Sequence, residues 1–398
     1  MSAGDPRSAG APLDACPCCD GARLRTFYQA SSIPVHSCLM LDEAASARAF
    51  TRADLELAVC NDCGFIFNRV FDPKWSAYAP AYEDQQSFSP TFNSFASRLA
   101  RDLVDRYDLV DKRIIEVGCS KGDFLALMCE AGGGHGVGID PSAVPGRVDS
   151  PAMSRIRFLN AYYGPEHIDL PADFFCCRHT LEHIQPVRAF LETLHAALER
   201  NPHAALMIEI PDTGRVLRDC AFEDIYYEHC SYFTPGSLAA LARRVGFAVY
   251  DLRIEYDDQY LVLECGLDRL RDRSFAIEDS VEQIQALVAS FEAEVERSLR
   301  QWRDLAATAG KRVAIWGSGS KCVAFLTTLG LEDDVASVVD INPNRHGKFI
   351  PGIGLVIDPP TRLSELQPET VIVMNRVYRD EIVAELDRLN VMSNVVAL

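Results

Sequence analysis

The chain of 398 residues is short of positive charge: 39 lysines and arginines stand against 57 aspartates and glutamates, a formal net charge of -18. Such a surface repels a phosphate backbone, which excludes general nucleic-acid binding and leaves room only for a local basic pocket. No apolar run reaches the length that spans a bilayer, so no membrane partner is expected. The amino-terminal MSAGDPRSAGAP has no apolar core of the kind a secretory signal needs. Cysteine is not scarce, at 14, but many of these thiols are scattered through apolar segments, and Cys176 and Cys177 adjoin in a strand-like run. Thiols used as small core residues suit a reducing compartment, so a cytoplasmic location is expected. An apolar fraction of 48% excludes a disordered chain. The length suggests two or three domains.

Residues 1 to 14 read as a flexible arm. Behind them, CPCC (Cys16, Cys18, Cys19) and CNDCG (Cys60, Cys63) carry two C-x2-C pairs. Each pair places two thiolates on one metal from a tight knuckle, and two knuckles complete the tetrahedral all-thiolate shell that structural zinc prefers. Cys16, Cys19, Cys60 and Cys63 are assigned on spacing, with Cys18 left over. His36 lies between the knuckles and is read as facing a neighbouring cleft rather than the metal. The segment WSAYAPAYEDQQSFSPTFNSF, 75–95, has few charges and many aromatics. It reads as a lid or bridging connector, with Tyr78 and Tyr82 as its polar tips.

A helix is expected over 96–110, from Leu99, Leu103 and Leu109 among charged residues. RIIEVGCSKGDFLALMCEAGG then reads as strand, glycine turn and helix. It lacks the G-x-G-x-x-G of dinucleotide sites; the pattern is E-x-G-x-x-x-G, with Glu116, Gly118 and Gly122. Glycines let backbone approach a ligand closely, and Glu116 suits a cationic or amino-bearing group. Asp140 ends the next strand, GVGID, where a carboxylate suits a ribose diol. Two carboxylates disfavour a pyrophosphate, which points to S-adenosylmethionine and away from NAD. The strand over 172–177 leads into RHTLEHI, placing Arg178, His179, Glu182 and His183 at strand ends, where open α/β sheets bind ligands. A strand spans 205–211. IYYEHCSYF follows, with Tyr226, Glu228 and His229 in a run too polar for core; Glu228 is read as orienting His229 or holding a substrate hydroxyl, and His229 is an imidazole near its ordinary pKa and a suitable base. Ser231 or Thr234 is expected to cap a helix near Pro235. YDDQYLVLECG is read as the strand that closes the sheet.

The stretch 275–308 is helical by its apolar spacing. KRVAIWGSGSKCVAFL repeats the strand, glycine turn and helix with Gly317 and Gly319, but Cys322 takes the third glycine position. A domain that holds the methyl acceptor at its strand ends fits better than a dinucleotide site. His346 and Lys348 are the positive charges expected near it, and Asn375 and Tyr378 follow the strand over 369–374.

CPCC with CNDCG, EVGCSKGDFL, IYYEHCSYF, and WGSGSK with VVDINPNRHGKFIPG together resemble the three-domain, zinc-containing C-methyltransferases of deoxysugar biosynthesis, over nearly the whole chain from about Cys16. The resemblance implies an α/β fold: a class I methyltransferase Rossmann-like doubly wound sheet, with a small N-terminal four-cysteine zinc-binding domain and a C-terminal Rossmann-like α/β domain. The expected divisions are 1–74, 75–95, 96–270, 271–308 and 309–398. The implied reaction moves a methyl group from S-adenosylmethionine to C3 of a nucleotide-linked 4-keto-deoxysugar. The implied catalytic set is Tyr226, Glu228 and base His229, with Tyr78 or Tyr82. Tyr226 or His183 is the expected hydrogen-bond donor to an enolate oxygen. Glu116, Gly118, Gly122, Asp140, Arg178 and His179 are the expected cofactor residues. A monomer or homodimer is expected. Tyr227 stands where the sugar enzymes often carry histidine, and RHTLEHI departs from their pattern, so the acceptor stays open. O- or N-methylation, a binding protein with a relict cofactor site and a zinc-dependent nucleic-acid module are the rival readings; the acidic charge weakens the last.

Overall fold

The computed structural model describes residues 12–75, 77–309 and 312–398. Most of the expected N-terminal arm therefore lies outside the described residues. Among the described residues, no helix is long and apolar enough to cross a membrane.

Three sheets organise the chain. In the first, β1 (Leu24–Pro34), β2 (Arg52–Cys60) and β3 (Ile66–Asn68) form an antiparallel meander. The central sheet contains β4 (Arg113–Val117), β5 (His135–Ile139), β6 (Ile156–Leu159), β7 (Phe174–Arg178) and β8 (Ala205–Pro211), all parallel. The two-residue strand β9 (Ser231–Tyr232) follows in the chain but pairs with β3 of the first sheet, Ile66 opposite Tyr232. β10 (Ala248–Glu255) and β11 (Tyr260–Gly266) return to the central sheet, whose order is β10-β11-β8-β7-β4-β5-β6. β11 runs antiparallel between β8 and β10. The segment read as closing the sheet is thus an interior strand, and β10 takes the edge. The third sheet is parallel: β12 (Val313–Trp316), β13 (Ser337–Val339), β14 (Ile357–Asp358), β15 (Thr370–Val373) and β16 (Asn394–Ala397), in the order β14-β13-β12-β15-β16.

Helices α1 (Ala44–Arg48), α2 (Pro90–Tyr107), α3 (Asp123–Gly132), α4 (Val187–Arg200), α5 (Thr213–Arg218) and α6 (Pro235–Val245) precede the long α7 (Val281–Ala309). α8 (Ser320–Leu329), α9 (Arg362–Leu366) and α10 (Arg379–Arg388) serve the third sheet. α2 begins at Pro90, six residues before the expected start. Ser89 caps it by accepting from Phe92 N, and proline at the first position needs no hydrogen-bond donor. Its buried face runs through Phe92, Phe95, Leu99 and Leu103, one helical stripe. α6 is capped by Thr234, which accepts from Ser237 N; Ser231 is in β9. α7 lays Ile284, Val288, Phe291, Val295 and Leu299 into a core shared with β1 and β12. It joins the first and third sheets.

Candidate functional site

Both parallel sheets turn the carboxyl ends of their strands toward one cavity of about 940 Å³. Its cofactor-side wall is the turn between β4 and α3. Gly118 has φ +71° and Gly122 φ +90°. A Cβ on Gly118 would stand 1.9 Å from Thr180 Oγ1, so the turn tolerates no side chain there. Asp140, just past β5, accepts from Ser120 N at 2.8 Å and from Ser142 N at 2.6 Å. Glu116 is 3% exposed; burial pushes its carboxyl up to about 8, with Arg178 opposing, and its Oε2 has no hydrogen-bond partner. Arg178 lies over Phe124 at 4.0 Å and donates twice to Glu209, at 2.6 and 3.1 Å. That pairing keeps Glu209 low despite its burial, at about 2. His179, with φ +47°, sits 3.0 Å from Glu209 and 3.6 Å from Glu182. Burial lowers its basicity, but the two carboxylates outweigh that and raise it to about 9.

Sequence reasoning missed Lys121. It is wholly buried, and its Nζ donates to the carbonyls of Tyr82 and Ser142 at 2.8 and 2.9 Å. One ammonium thereby fastens the 77–89 segment to the cofactor-side turn. A lysine inside a glycine turn was the available signal. The segment is a packed bridge: Asp84 accepts from Ser120 Oγ, Glu83 accepts from Asn342, and Ser89 donates to Glu381 of α10.

Farther along the cavity, Tyr226 Oη and His229 Nε2 are 2.8 Å apart. The rings of His229 and His183 stand edge to face at 4.8 Å. His183 Nδ1 lies 3.0 Å from the Glu228 carbonyl and 2.7 Å from Tyr78 Oη. A carbonyl only accepts, so Nδ1 carries the hydrogen. Burial, then the neighbours His183 and His179, hold His229 well below its ordinary pKa. The expected near-normal imidazole is therefore corrected: it is neutral because it is buried. Nor does Glu228 orient His229. Its carboxylate accepts from Ser37 N at 2.9 Å and Tyr82 Oη at 3.0 Å, and stands 3.2 Å from His36 Nδ1. His36 thus faces Glu228, away from the cysteines. Tyr78, Tyr82 and Tyr226 all have phenols raised by burial and by nearby carboxylates, so they stay hydrogen-bond donors. Tyr78 touches His183 and Tyr82 touches Glu228; both line the cavity.

At the third-sheet end, the cavity's cations are Lys321, Arg215 and Arg345. Lys321 and Arg215 both hold Asp224, and Arg345 holds Asp340. His346 and Lys348 do not fill that role: His346 bonds the Asp340 carbonyl, and Lys348 pairs with Asp42 at the surface. Gln259 and Asn375 exchange two hydrogen bonds of 2.9 Å across the two domains. Away from the cavity, the ligand sulfurs of Cys16, Cys19, Cys60 and Cys63 lie within 4.8 Å of one another, with Cys16–Cys63 3.7 Å and Cys19–Cys60 3.6 Å. Cys18 is buried too, and its thiol adjoins Cys16 and Cys63.

The chain matches a methyltransferase-domain family over residues 92–252 and a C-methyltransferase C-terminal-domain family over 275–394. The C-methyltransferase NovU of Streptomyces niveus is 25% identical over 391 residues, 94% of this chain and 92% of that protein. Among solved structures, the magnesium protoporphyrin IX methyltransferase ChlM of Synechocystis PCC 6803, with bound S-adenosylhomocysteine, is 14% identical. It covers 46% of this chain and 90% of its own at a TM-score of 0.36. The 1,6-didemethyltoxoflavin-N1-methyltransferase of Burkholderia thailandensis is 18% identical and covers 51% and 95% at 0.32. The central sheet order, its glycine turn and the first match define an S-adenosylmethionine-dependent methyltransferase. Within that class, residues 275–394 match the C-methyltransferase C-terminal domain, and the similarity to NovU runs over nearly the whole chain.

Proposed function

We propose that this enzyme methylates a carbon of a nucleotide-linked keto-deoxysugar through an enolate. The observation that supports this reading most is the single cavity. It runs from the Gly118 turn, past His229–Tyr226 and His183–Tyr78, to the strand ends of the third sheet. A cofactor at one end and a large two-part acceptor along the other would meet at the imidazoles. Bound S-adenosylmethionine supplies the electrophilic methyl group. Asp140 would hold its ribose, Glu116 its amino group, and Arg178 and His179 keep the intervening strand ends rigid.

A ketone acidifies its neighbouring carbon. His229 takes that proton at the ring nitrogen that Tyr226 does not hold, so the C–H bond breaks and its electron pair moves toward the carbonyl oxygen. Tyr78 and Tyr226, both protonated, are the hydroxyls available to that oxygen. The third-sheet cations Lys321 and Arg215 suit the acceptor's phosphates. In the first domain the four cysteines hold zinc. Sulfurs of a tetrahedral site with Zn–S about 2.3 Å lie about 3.8 Å apart, close to the two separations present. A full thiolate shell leaves zinc no open position, so it is structural.

The test is proton exchange. Wild type saturated with S-adenosylhomocysteine is incubated in heavy water with a nucleotide-linked 4-keto-6-deoxyhexose, and loss of the C3 proton is followed by NMR. Exchange should slow by about 10²- to 10⁴-fold in His229→Ala, the usual worth of a positioned base. An unaltered rate in that variant would rule out His229. A methylated product whose new carbon signal is that of an O- or N-methyl group would rule out the carbon reading.

A further inference from the structure

Apart from the four cysteines, one more set of metal-ligand side chains converges among the described residues. Glu182, His183 and His229 offer a carboxylate oxygen and two ring nitrogens, all within 4.8 Å of one another. All three line the cavity. Glu182 and His183 are consecutive on the short 3-10 turn Leu181–His183, which His229 faces ring to ring. Glu182 is 3% exposed, and its buried Oε2 has no hydrogen-bond partner. The other oxygen, Oε1, stands 3.6 Å from His179 Nδ1, so the carboxylate's charge is met on one side and Oε2 is the atom free to take a ligand.

The supports of the two imidazoles point the same way. His183 Nδ1 is engaged by the Glu228 carbonyl at 3.0 Å and by Tyr78 Oη at 2.7 Å, so Nε2 is the nitrogen without a protein partner. His229 Nε2 is engaged by Tyr226 Oη at 2.8 Å, which leaves Nδ1. Metal-binding histidines are oriented in this manner, the second nitrogen held by a carbonyl or another oxygen. Two imidazoles and one carboxylate suit a divalent first-row transition ion, not calcium or magnesium, which want oxygen shells. Three protein ligands leave further coordination positions open toward the cavity.

We propose that Glu182, His183 and His229 form a second metal site, for a divalent first-row transition ion, in the acceptor cavity. An ion there occupies the His229 nitrogen that the proposed reaction needs free, so the ion and proton abstraction exclude each other. That consequence rests on the base assignment above; the binding does not.

The experiment uses the full chain as purified, with its cysteine site zinc-loaded. It is dialysed to equilibrium against cobalt(II) alone, and both metals are counted per chain. Wild type should hold about one zinc and one cobalt. Glu182→Gln and His183→Ala should each weaken cobalt about tenfold or more. Their zinc should be unchanged, which shows that they are folded. No cobalt on wild type, cobalt accompanied by intense thiolate charge-transfer absorption, or equal affinity in both variants would overturn the site. Cobalt should also stop the proton exchange, and a chelator should restore it. Binding at this site with exchange unaffected would overturn the consequence, and with it the role of His229 as base, while leaving the site.

Discussion

Asp140→Asn tests the cofactor end of the cavity with the least disturbance of volume. The wild-type carboxylate accepts from Ser120 N–H through Oδ2 at 2.8 Å, and from Ser142 N–H and its hydroxyl through Oδ1 at 2.6 and 2.7 Å. N–H donors therefore face both oxygens. An asparagine must turn its NH₂ toward one of them, donor against donor, and its acceptor capacity is roughly halved. The lone pairs left over in wild type are those a ribose diol would use. A hydrogen bond to a charged group is worth about 1.5 to 3 kcal/mol. The variant should then bind S-adenosylhomocysteine roughly 10- to 100-fold more weakly, at about 1.4 kcal/mol per tenfold. Calorimetric titration reads this directly. A second titration, with the 2′,3′-dideoxy analogue, divides the effect. Loss that persists belongs to the Ser120 turn; loss that vanishes belongs to the ribose. Equal affinity of wild type and variant for S-adenosylhomocysteine would refute the assignment, and a full loss with the analogue would confine Asp140 to holding the turn.

Three further outcomes are expected. Arg178→Met removes one of the two cations that hold the buried Glu209 carboxylate at about 2 and leaves His179 at 3.0 Å, and it should lower stability by about 1.5 to 3 kcal/mol in urea denaturation. Arg178→Met combined with Glu209→Leu should recover much of that, and a double variant no better than the single would contradict the ion-pair account. Glu116, pushed up to about 8, is protonated below that pH in the free enzyme, while an ammonium beside it favours the carboxylate. Binding of S-adenosylhomocysteine should then release a proton and tighten as pH rises toward 8, by less than tenfold per unit. Calorimetry in buffers of different ionisation enthalpy should show the release in wild type and not in Glu116→Gln. Finally, purified protein should carry about one zinc per chain by elemental analysis, and Cys60→Ser should lose it together with solubility. A metal-free but folded native protein would remove the zinc assignment.

What the sequence made legible is local. Strand, glycine turn and helix recur at 113–132 and 313–329, and both appear where the pattern places them. The four cysteines meet because paired knuckles leave few other arrangements. The start of α2 was readable as well, since Ser89 and Pro90 are a cap and a first-turn residue, but the aromatic run around them reads as connector. What stayed hidden depends on long separations. His36 and Glu228 are 192 residues apart, and nothing near either says that the carboxylate turns away from His229. β9 has two residues and no periodicity to announce it. The cations at the third sheet were sought at His346 and Lys348 in NPNRHGKF; the cavity instead takes Arg345 from that segment, Arg215 from the central domain and Lys321 from the first turn of α8.

These long-range pairings explain how one short run performs two tasks. Tyr226 and His229 lie three residues apart, touch each other, and line the cavity. Tyr227 and Glu228, between them, are almost fully buried and bind elsewhere: Tyr227 Oη accepts from Asp72 N, and Glu228 holds His36, Ser37 and Tyr82. Every side-chain partner of that inner pair comes from the first domain or the segment after it. On the far side, Cys230 N donates to the Glu182 carbonyl, and β9 then joins β3. The loop carrying His229 is thus clamped before it by loop residues of the first domain and by Tyr82, and after it by the sheet whose β2 ends at Cys60. A histidine on an unsupported loop would sample many rotamers, and each would cost rate at a reaction that needs sub-ångström placement. The cysteine-bearing domain would therefore bear on the proposed chemistry through backbone position, and it also lends Cys38, Phe71 and Pro73 to the cavity wall.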